Sequence, residues 1–305
     1  MRAPSEIHRE VQKLGTEDAG KGSSTAVGVD WGATLAKIAV RRPGAAPSFL
    51  HLPADDPDAC RRAIAALGPA RVGVTGGGSE RLLRELGDAV AVNEFAAWGA
   101  GAAAMLADGD GGGAPAERYL LVSLGTGTSV LLVDGMSVSR VGGTALGGGT
   151  LLGLAAGLLG TAEFEEVVAL ARRGSRREVD LLVSDIYRAG GIPLAGDLTA
   201  ANFGKLARRL RAGEPVARED LAHALMGLLG ENVALVCTGL AATAQVRRIV
   251  FGGSTLRGNE PLAEILGTIT RALGREPVFL PRGEYAGALG ALLLASPEAA
   301  SSAAS

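Results

Sequence analysis

Apolar residues fall in short runs separated by stretches of helical period, and glycine closes most of the runs. Residues 26–30 read as a buried strand ending at Asp30, and 35–41 as its antiparallel return after a tight turn. The spacing predicts helices over 56–67, 80–86 and 95–106, with strands at 71–75 and 90–92 between them. Residues 108–115, rich in Gly and Asp, are expected to form a surface loop. A second cycle follows, with a strand at 119–123, a glycine turn at 125–129 and a return strand at 130–133. It repeats the arrangement of 27–40, which predicts an internal duplication. Beyond it the pattern predicts helices over 153–159, 161–171, 179–187, 218–244, 261–273 and 285–294. Strands are predicted at 248–251 and, on an edge, at 278–280. Residues 1–25 and 296–305 lack an apolar period and read as flexible extensions. The expected organisation is an N-terminal lobe over 26–106 and a C-terminal lobe over 117–283, with a closing helix at 284–295 packing back on the first lobe.

Three glycine turns carry candidate chemistry. The first holds Asp30, Gly32 and Thr34, with Lys37 just beyond; the second holds Gly125, Thr126, Gly127 and Thr128; the third holds Gly147, Gly148, Gly149 and Thr150. Without a Cβ in the way, backbone N–H groups can converge on an anion. Hydroxyls add donors, and an aspartate can hold the Mg²⁺ that accompanies a nucleoside triphosphate. The third turn precedes a helical stretch starting near Leu151, so a helix N-terminus would face the phosphate. Gly253 and Ser254 follow a later strand and form a fourth, weaker candidate turn. In this order the turns suggest a phosphoryl-transfer enzyme using ATP. A dinucleotide-binding dehydrogenase is disfavoured, because its glycine turn joins a strand to a helix and the first turn here joins two strands.

Composition removes several alternatives. Hydrophobic residues make up 47% of the 305-residue chain, ample for a core, and the formal charge of −2 offers no basic field to nucleic acid or an acidic membrane surface. Aromatic content of 4% is too low for base-stacking platforms. Cys60 and Cys237 stand alone, and His8, His51 and His223 lack ligand spacing, so no zinc site or disulfide framework is indicated. No uninterrupted apolar run is long enough to span a bilayer, and the first residues lack a secretory pattern. A cytoplasmic location with no membrane partner is the expectation.

Two blocks are more specific than any single turn. They are residues 140–149 (RVGGTALGGG) and 192–204 (IPLAGDLTAANFG). With the turns, they make the chain, from Val27 to about Leu294, resemble a type II pantothenate kinase of the actin–Hsp70–sugar kinase superfamily. The resemblance implies an α/β, two-lobed actin-like ATPase (ribonuclease H-like) fold with duplicated mixed sheets and flanking helices. It implies phosphorylation of pantothenate to 4'-phosphopantothenate with ATP and Mg²⁺, the first step of coenzyme A biosynthesis, in a homodimer with its cleft between the lobes. A different acceptor hydroxyl, on a sugar or a pantothenate-like amide, and a non-catalytic nucleotide- or CoA-binding regulator remain alternatives.

By the same resemblance Asp30 helps hold Mg²⁺ and the phosphates, Lys37 faces phosphate, Glu94 is the catalytic carboxylate and Arg140 contacts the substrate or the transferring phosphate. Read alone, Glu94 is better explained as a helix N-terminal glutamate and Arg140 as a surface arginine, and it is the family pattern that favours the site roles. The neutral acceptor hydroxyl does need a base as the P–O bond forms. Lys37 is one of four lysines in a chain that otherwise uses arginine, which suits a compact point charge. Asp197, Thr199 and Asn202 are expected to order the cleft or the adenine side. Gly99 and Gly101 are expected to allow close helix approach. Trp31 and Ala33 depart from the family's turn, which more often has a smaller residue and a second glycine there.

Overall fold

The computed structural model describes residues 25–108, 118–187 and 198–295. Residues 1–24 and 296–305 of the terminal extensions, 109–115 of the expected surface loop and 192–197 of the second specific block lie outside the described residues. The chain divides into two compact units. One comprises residues 1–118, 133–139 and 280–305; the other comprises 119–132 and 140–279.

The first unit is built on a five-stranded sheet of order β3-β2-β1-β4-β5. Its strands are β1 (Ala26–Trp31), β2 (Leu35–Arg41), β3 (Ser48–Pro53), β4 (Arg71–Thr75) and β5 (Val90–Ala91). Helices α1 (Pro57–Leu67), α2 (Ser79–Leu86) and α3 (Glu94–Ala107) follow β3, β4 and β5. Strands β1–β3 pair antiparallel, and β4 and β5 join in parallel. Alternation assigns the two faces. Val27, Val29, Trp31, Ile38, Leu50 and Leu52 cluster with Ile64 of α1 and Leu82 of α2. Gly28, Asp30 and Lys37 lie on the opposite face. Helix α10 (Ala286–Leu294) covers that face.

Glycines set how closely α10 approaches. A Cβ on Gly28 would lie 2.1 Å from the Ala288 carbonyl oxygen, and one on Gly73 would lie 2.2 Å from that of Ala291. Gly28 and Gly73 are parallel-sheet partners, so the helix rests on a bare strip of sheet. The same occurs against α3, where a Cβ on Gly101 would lie 1.9 Å from Ala286 O. A Cβ on Gly290 would lie 1.7 Å from Ala97 O. The close helix approach expected around Gly101 is thus a backbone-to-backbone contact with α10.

The second sheet has the order β12-β11-β6-β7-β8. Its strands are β6 (Tyr119–Leu124), β7 (Thr128–Asp134), β8 (Ser137–Thr144), β11 (Arg248–Gly252) and β12 (Glu276–Phe279). Read from β8, it repeats the first sheet's order: three consecutive strands, then two that join in parallel. The duplication expected from the two strand–turn–strand cycles is visible in this order. The remaining elements are α4 (Gly148–Leu159), α5 (Phe164–Ala171), β9 (Leu181–Leu182), α6 (Val183–Ile186), β10 (Thr199–Ala201), α7 (Leu206–Arg211), α8 (Arg218–Thr243) and α9 (Glu260–Ala272). Leu120, Val122, Phe251, Leu225, Met226, Leu229 and Leu262 share one core.

Helix α8 departs from the sequence reading, which found no run long enough for a bilayer. By length and composition it could cross one, with mean hydropathy 1.6, but 61% of that stretch is buried inside the protein. It also carries Glu231, buried and accepting a hydrogen bond from Arg176 at 2.5 Å. These are properties of a core helix.

Candidate active site

The first unit gathers Asp30, Gly32, Lys37 and Glu94. Asp30 and Lys37 are cross-strand partners, and Lys37 Nζ lies 3.4 Å from Asp30 Oδ2. Asp30 is 4% exposed. Burial raises its pKa above the ordinary aspartate value, with the Lys37 charge opposing. Both carboxylate oxygens face glycines: a Cβ on Gly76 would lie 2.7 Å from Oδ1, and one on Gly287, in the first turn of α10, 2.8 Å from Oδ2. Hard carboxylate oxygens beside glycines suit Mg²⁺, which commonly takes one or two carboxylates and completes its shell with water and phosphate. Among the described residues no three acidic, His or Cys side chains are placed to hold a metal ion together, so a protein-only cage is not offered.

The hairpin turn beside Asp30 closes through a 3.0 Å bond from Gly32 N–H to Leu35 O. Neither Gly32 nor Ala33 has a positive φ, so alanine fits the turn. A Cβ at Gly32 would approach Lys37 Nζ to 3.1 Å, which makes this glycine a spacer for the ammonium. Thr34 is exposed, and its carbonyl accepts from Ala54 N–H at 3.0 Å. Trp31 is buried, with its indole under the next turn, where a Cβ on Gly78 would meet Cδ1 at 2.3 Å.

Glu94 opens α3. The Asn93 side chain accepts from Phe95 N–H and Ala96 N–H, both at 3.0 Å, so capping does not consume the Glu94 carboxylate. Its side chain is exposed by area, yet the carboxyl is crowded by protein. Desolvation, then the Asp30 charge, raises its pKa above the ordinary glutamate value, and Lys37 lowers it. A lone solvated glutamate would not feel Asp30 and Lys37 together.

The second unit gathers the other three turns. Gly148 N–H donates to Gly125 O at 2.8 Å and Gly149 N–H to Thr126 O at 2.9 Å. The Gly147 and Gly149 turn is therefore bolted to the β6–β7 turn. A Cβ on Gly147 would lie 2.5 Å from Thr126 O, so glycine is required for this contact. From the sequence, Gly147, Gly148 and Gly149 are expected ahead of a helix, with their amides offered to phosphate. Instead α4 begins at Gly148, and two of its first amides are spent on the neighbouring turn. Thr128 differs similarly: it is buried, and its hydroxyl donates to Leu146 O at 2.7 Å. Thr126 is exposed and Gly127 partly so at the tip of the turn.

Gly253 has φ 115°, and a Cβ there would lie 2.2 Å from Leu124 O. Ser254 starts the 3-10 turn Ser254–Leu256. The next residue, Thr255, is buried and donates its hydroxyl to Gly125 O at 2.9 Å. Nothing in the local sequence singles Thr255 out. Arg140 is exposed on β8, and its Nη2 lies 2.8 Å from where a Gly143 Cβ would stand. That position is also 2.4 Å from Thr128 O, which sets Arg140 beside the second glycine turn.

The described part of the second specific block builds a polar network. Thr199 Oγ1 accepts from Arg176 Nη1 at 2.8 Å, Asn202 Oδ1 from Asn232 Nδ2 at 3.3 Å, and buried Asp180 Oδ1 from Phe203 N–H at 2.8 Å. Asp197 lies outside the described residues.

The chain matches known proteins along most of its length. A family model described as Fumble matches residues 114–294. A type II pantothenate kinase of Bacillus thuringiensis subsp. konkukian is 34% identical over 284 residues, covering 88% of this chain and 97% of the relative. One from Oceanobacillus iheyensis is 33% identical over 271 residues, with 88% and 98% covered. Among solved structures, (R)-2-hydroxyglutaryl-CoA dehydratase component A of Acidaminococcus fermentans superposes with TM-score 0.62 at 18% identity, covering 91% of this chain and all of that one. A ROK family glucokinase of Streptomyces griseus, solved with glucose and AMPPNP, gives 0.55 at 16% identity, with 89% and 99% covered. The structural likenesses establish the α/β actin-like ATPase fold. The sequence relatives extend over nearly their whole length and establish more: this chain belongs to the type II pantothenate kinase family.

Proposed function

We infer that the protein transfers the γ-phosphoryl group of ATP to the hydroxyl of pantothenate, giving 4'-phosphopantothenate for coenzyme A synthesis. The observation that carries this reading is the Asp30, Lys37 and Glu94 cluster in a chain of this family. It combines a buried carboxylate flanked by glycines, a compact cation and a second carboxylate of raised pKa.

Asp30 would take Mg²⁺, which neutralises charge on the phosphates. Lys37 supplies a point charge to them. Glu94 accepts the hydroxyl proton, since a base of raised pKa works closer to neutral pH. The exposed tip at Thr126 and Gly127 supplies main-chain donors to the polyphosphate, on a frame fixed by Gly147, Gly148, Gly149 and Thr255. Gly253 and Ser254 belong to the adenosine side. Arg140 offers paired donors to a carboxylate or phosphate.

A coupled ADP-release assay with Mg·ATP tests the reading. Pantothenate is expected to support turnover well above glucose and N-acetylhexosamines. Turnover on a sugar without turnover on pantothenate would overturn the acceptor assignment. The cytoplasm is the proposed location, in keeping with the free, buried thiols of Cys60 and Cys237.

A homodimer is proposed as the working form. Leu154 and Leu158 of α4 and Leu235 and Val236 of α8 are 38%, 40%, 53% and 37% exposed, and large apolar side chains at a surface favour association. Sedimentation should give about twice the chain mass of 30.7 kDa. A single monomeric boundary at micromolar concentration would refute it.

A further inference from the structure

The sheet face that carries Asp30 holds another polar side chain. Asp30 on β1 stands opposite Lys37 on β2, and Lys37 stands opposite His51 on β3. Residues directly opposite across a sheet share a face, so the three form one row. His51 Nδ1 and the Tyr285 hydroxyl share a 3.0 Å hydrogen bond. Tyr285 ends the 3-10 turn Gly283–Tyr285 that leads into α10. Two residues later, Gly287 lies against Asp30 Oδ2. The start of α10 therefore spans the row, tied to His51 at one end and touching Asp30 at the other.

Further contacts hold Tyr285 in place. Phe49, two residues before His51, stacks on its ring at 4.9 Å, and the Arg282 guanidinium lies 5.3 Å from the Phe49 centroid. Arg282 has φ 53°, a left-handed conformation that a non-glycine residue keeps only when its surroundings impose it. Phenylalanine at 285 would satisfy the stack. The hydroxyl that reaches His51 needs another explanation.

We propose that His51, held by Tyr285, is a positioning residue for Lys37. A lysine is a point charge on a flexible four-carbon stem, and a charge that stabilises a transition state has to be held in place. Asp30 restrains the ammonium at 3.4 Å, a loose ion pair. The opposite neighbour in the row is His51, and its hydrogen bond to Tyr285 fixes its ring. The inference rests on the phosphotransfer reading for its kinetic consequence and on the fold alone for its structural one.

The test uses the full chain with isotope-labelled lysine. There are four lysines, Lys13, Lys21, Lys37 and Lys205, and the Lys37 signal is assigned by its loss in Lys37→Arg. Tyr285→Phe keeps the ring stack and removes only the hydroxyl. It is expected to shift the Lys37 side-chain resonance and lower kcat about 5- to 10-fold, with KM for ATP within about twofold. His51→Ala should do the same, and the double variant should be no worse than His51→Ala, because the two groups act as a unit. His51→Asn keeps a hydrogen-bonding group near the Nδ1 position and should restore both signals. A Lys37 resonance that stays in place in both single variants would overturn the proposal. So would failure of His51→Asn to restore it, or a fall in kcat that follows melting temperature while Lys37 is unmoved. The resonance needs no acceptor. A wild-type protein inactive on pantothenate would therefore count against the phosphotransfer reading and leave His51 to be judged by Lys37.

Discussion

Replacing Glu94 by glutamine is expected to lower kcat about 10²- to 10⁴-fold while leaving ATP affinity within about twofold. Glutamine keeps the size and the helix start, since Asn93 caps α3 independently. It removes the negative charge and with it the ability to accept a proton. The pH profile supplies a second reading of the same group. Glu94 must be ionised to act as base, and desolvation together with the Asp30 charge raises its pKa. Activity should therefore fall, as pH is lowered, at a pH above the ordinary glutamate range. Lys37 opposes that rise, so Lys37→Ala should move the acid limb to still higher pH. A Glu94→Gln enzyme retaining more than about a tenth of wild-type kcat would show that another group takes the proton.

The second large effect concerns the glycines around α10. Gly290→Ala would place a methyl carbon where Ala97 O stands 1.7 Å away, and Gly101→Ala would do so 1.9 Å from Ala286 O. Backbone atoms cannot step aside as a side-chain tip can, so α3 and α10 have to separate. Overpacking of this kind costs about 1–3 kcal/mol or more, and a melting temperature falls about 2–4 °C per kcal/mol in a protein of this size. A drop of about 5–10 °C is expected for either variant. Catalysis should fall as well, because α10 carries Gly287 against Asp30. Gly77→Ala is the control: its Cβ would meet nothing within 4 Å, and its melting temperature should stay within about 1 °C of wild type. A Gly290→Ala protein melting like wild type would disprove the close contact.

The parts of this fold legible in the sequence were those with a local signal. Strands β1, β2, β6 and β7 are apolar runs joined by glycine turns, and both hairpins could be read directly. Strand β3 could not: it is the short SFLHLP, ending in proline, and its pairing with β2 supplies what its pattern lacks. Strand β8 mixes serine, arginine and glycine, and read as motif instead of strand. Residues 179–187 suggested one helix. They contain β9, whose partner β10 lies beyond a stretch of intervening chain, so the pairing that fixes it is non-local.

The site divides in the same way. Asp30, Lys37 and Glu94 stand at element ends next to recognisable turns. Thr255 reaches Gly125 across 130 residues of sequence, and Tyr285 reaches His51 across 234. No window along the chain contains either pair. The early start of α4 was hidden because glycine is a poor helix former, and its first turn is held by bonds to the β6–β7 turn.

The first unit takes one of its walls from α10, which follows the whole of the second unit in the chain. A nascent polypeptide emerging from the ribosome therefore displays β1, β4 and α3 with their glycine strip bare until α10 is made. Domains usually fold as they are completed, N-terminal first. Here the order inverts: residues 140–279 have all been synthesised before the carboxylate at position 30 acquires its final neighbour.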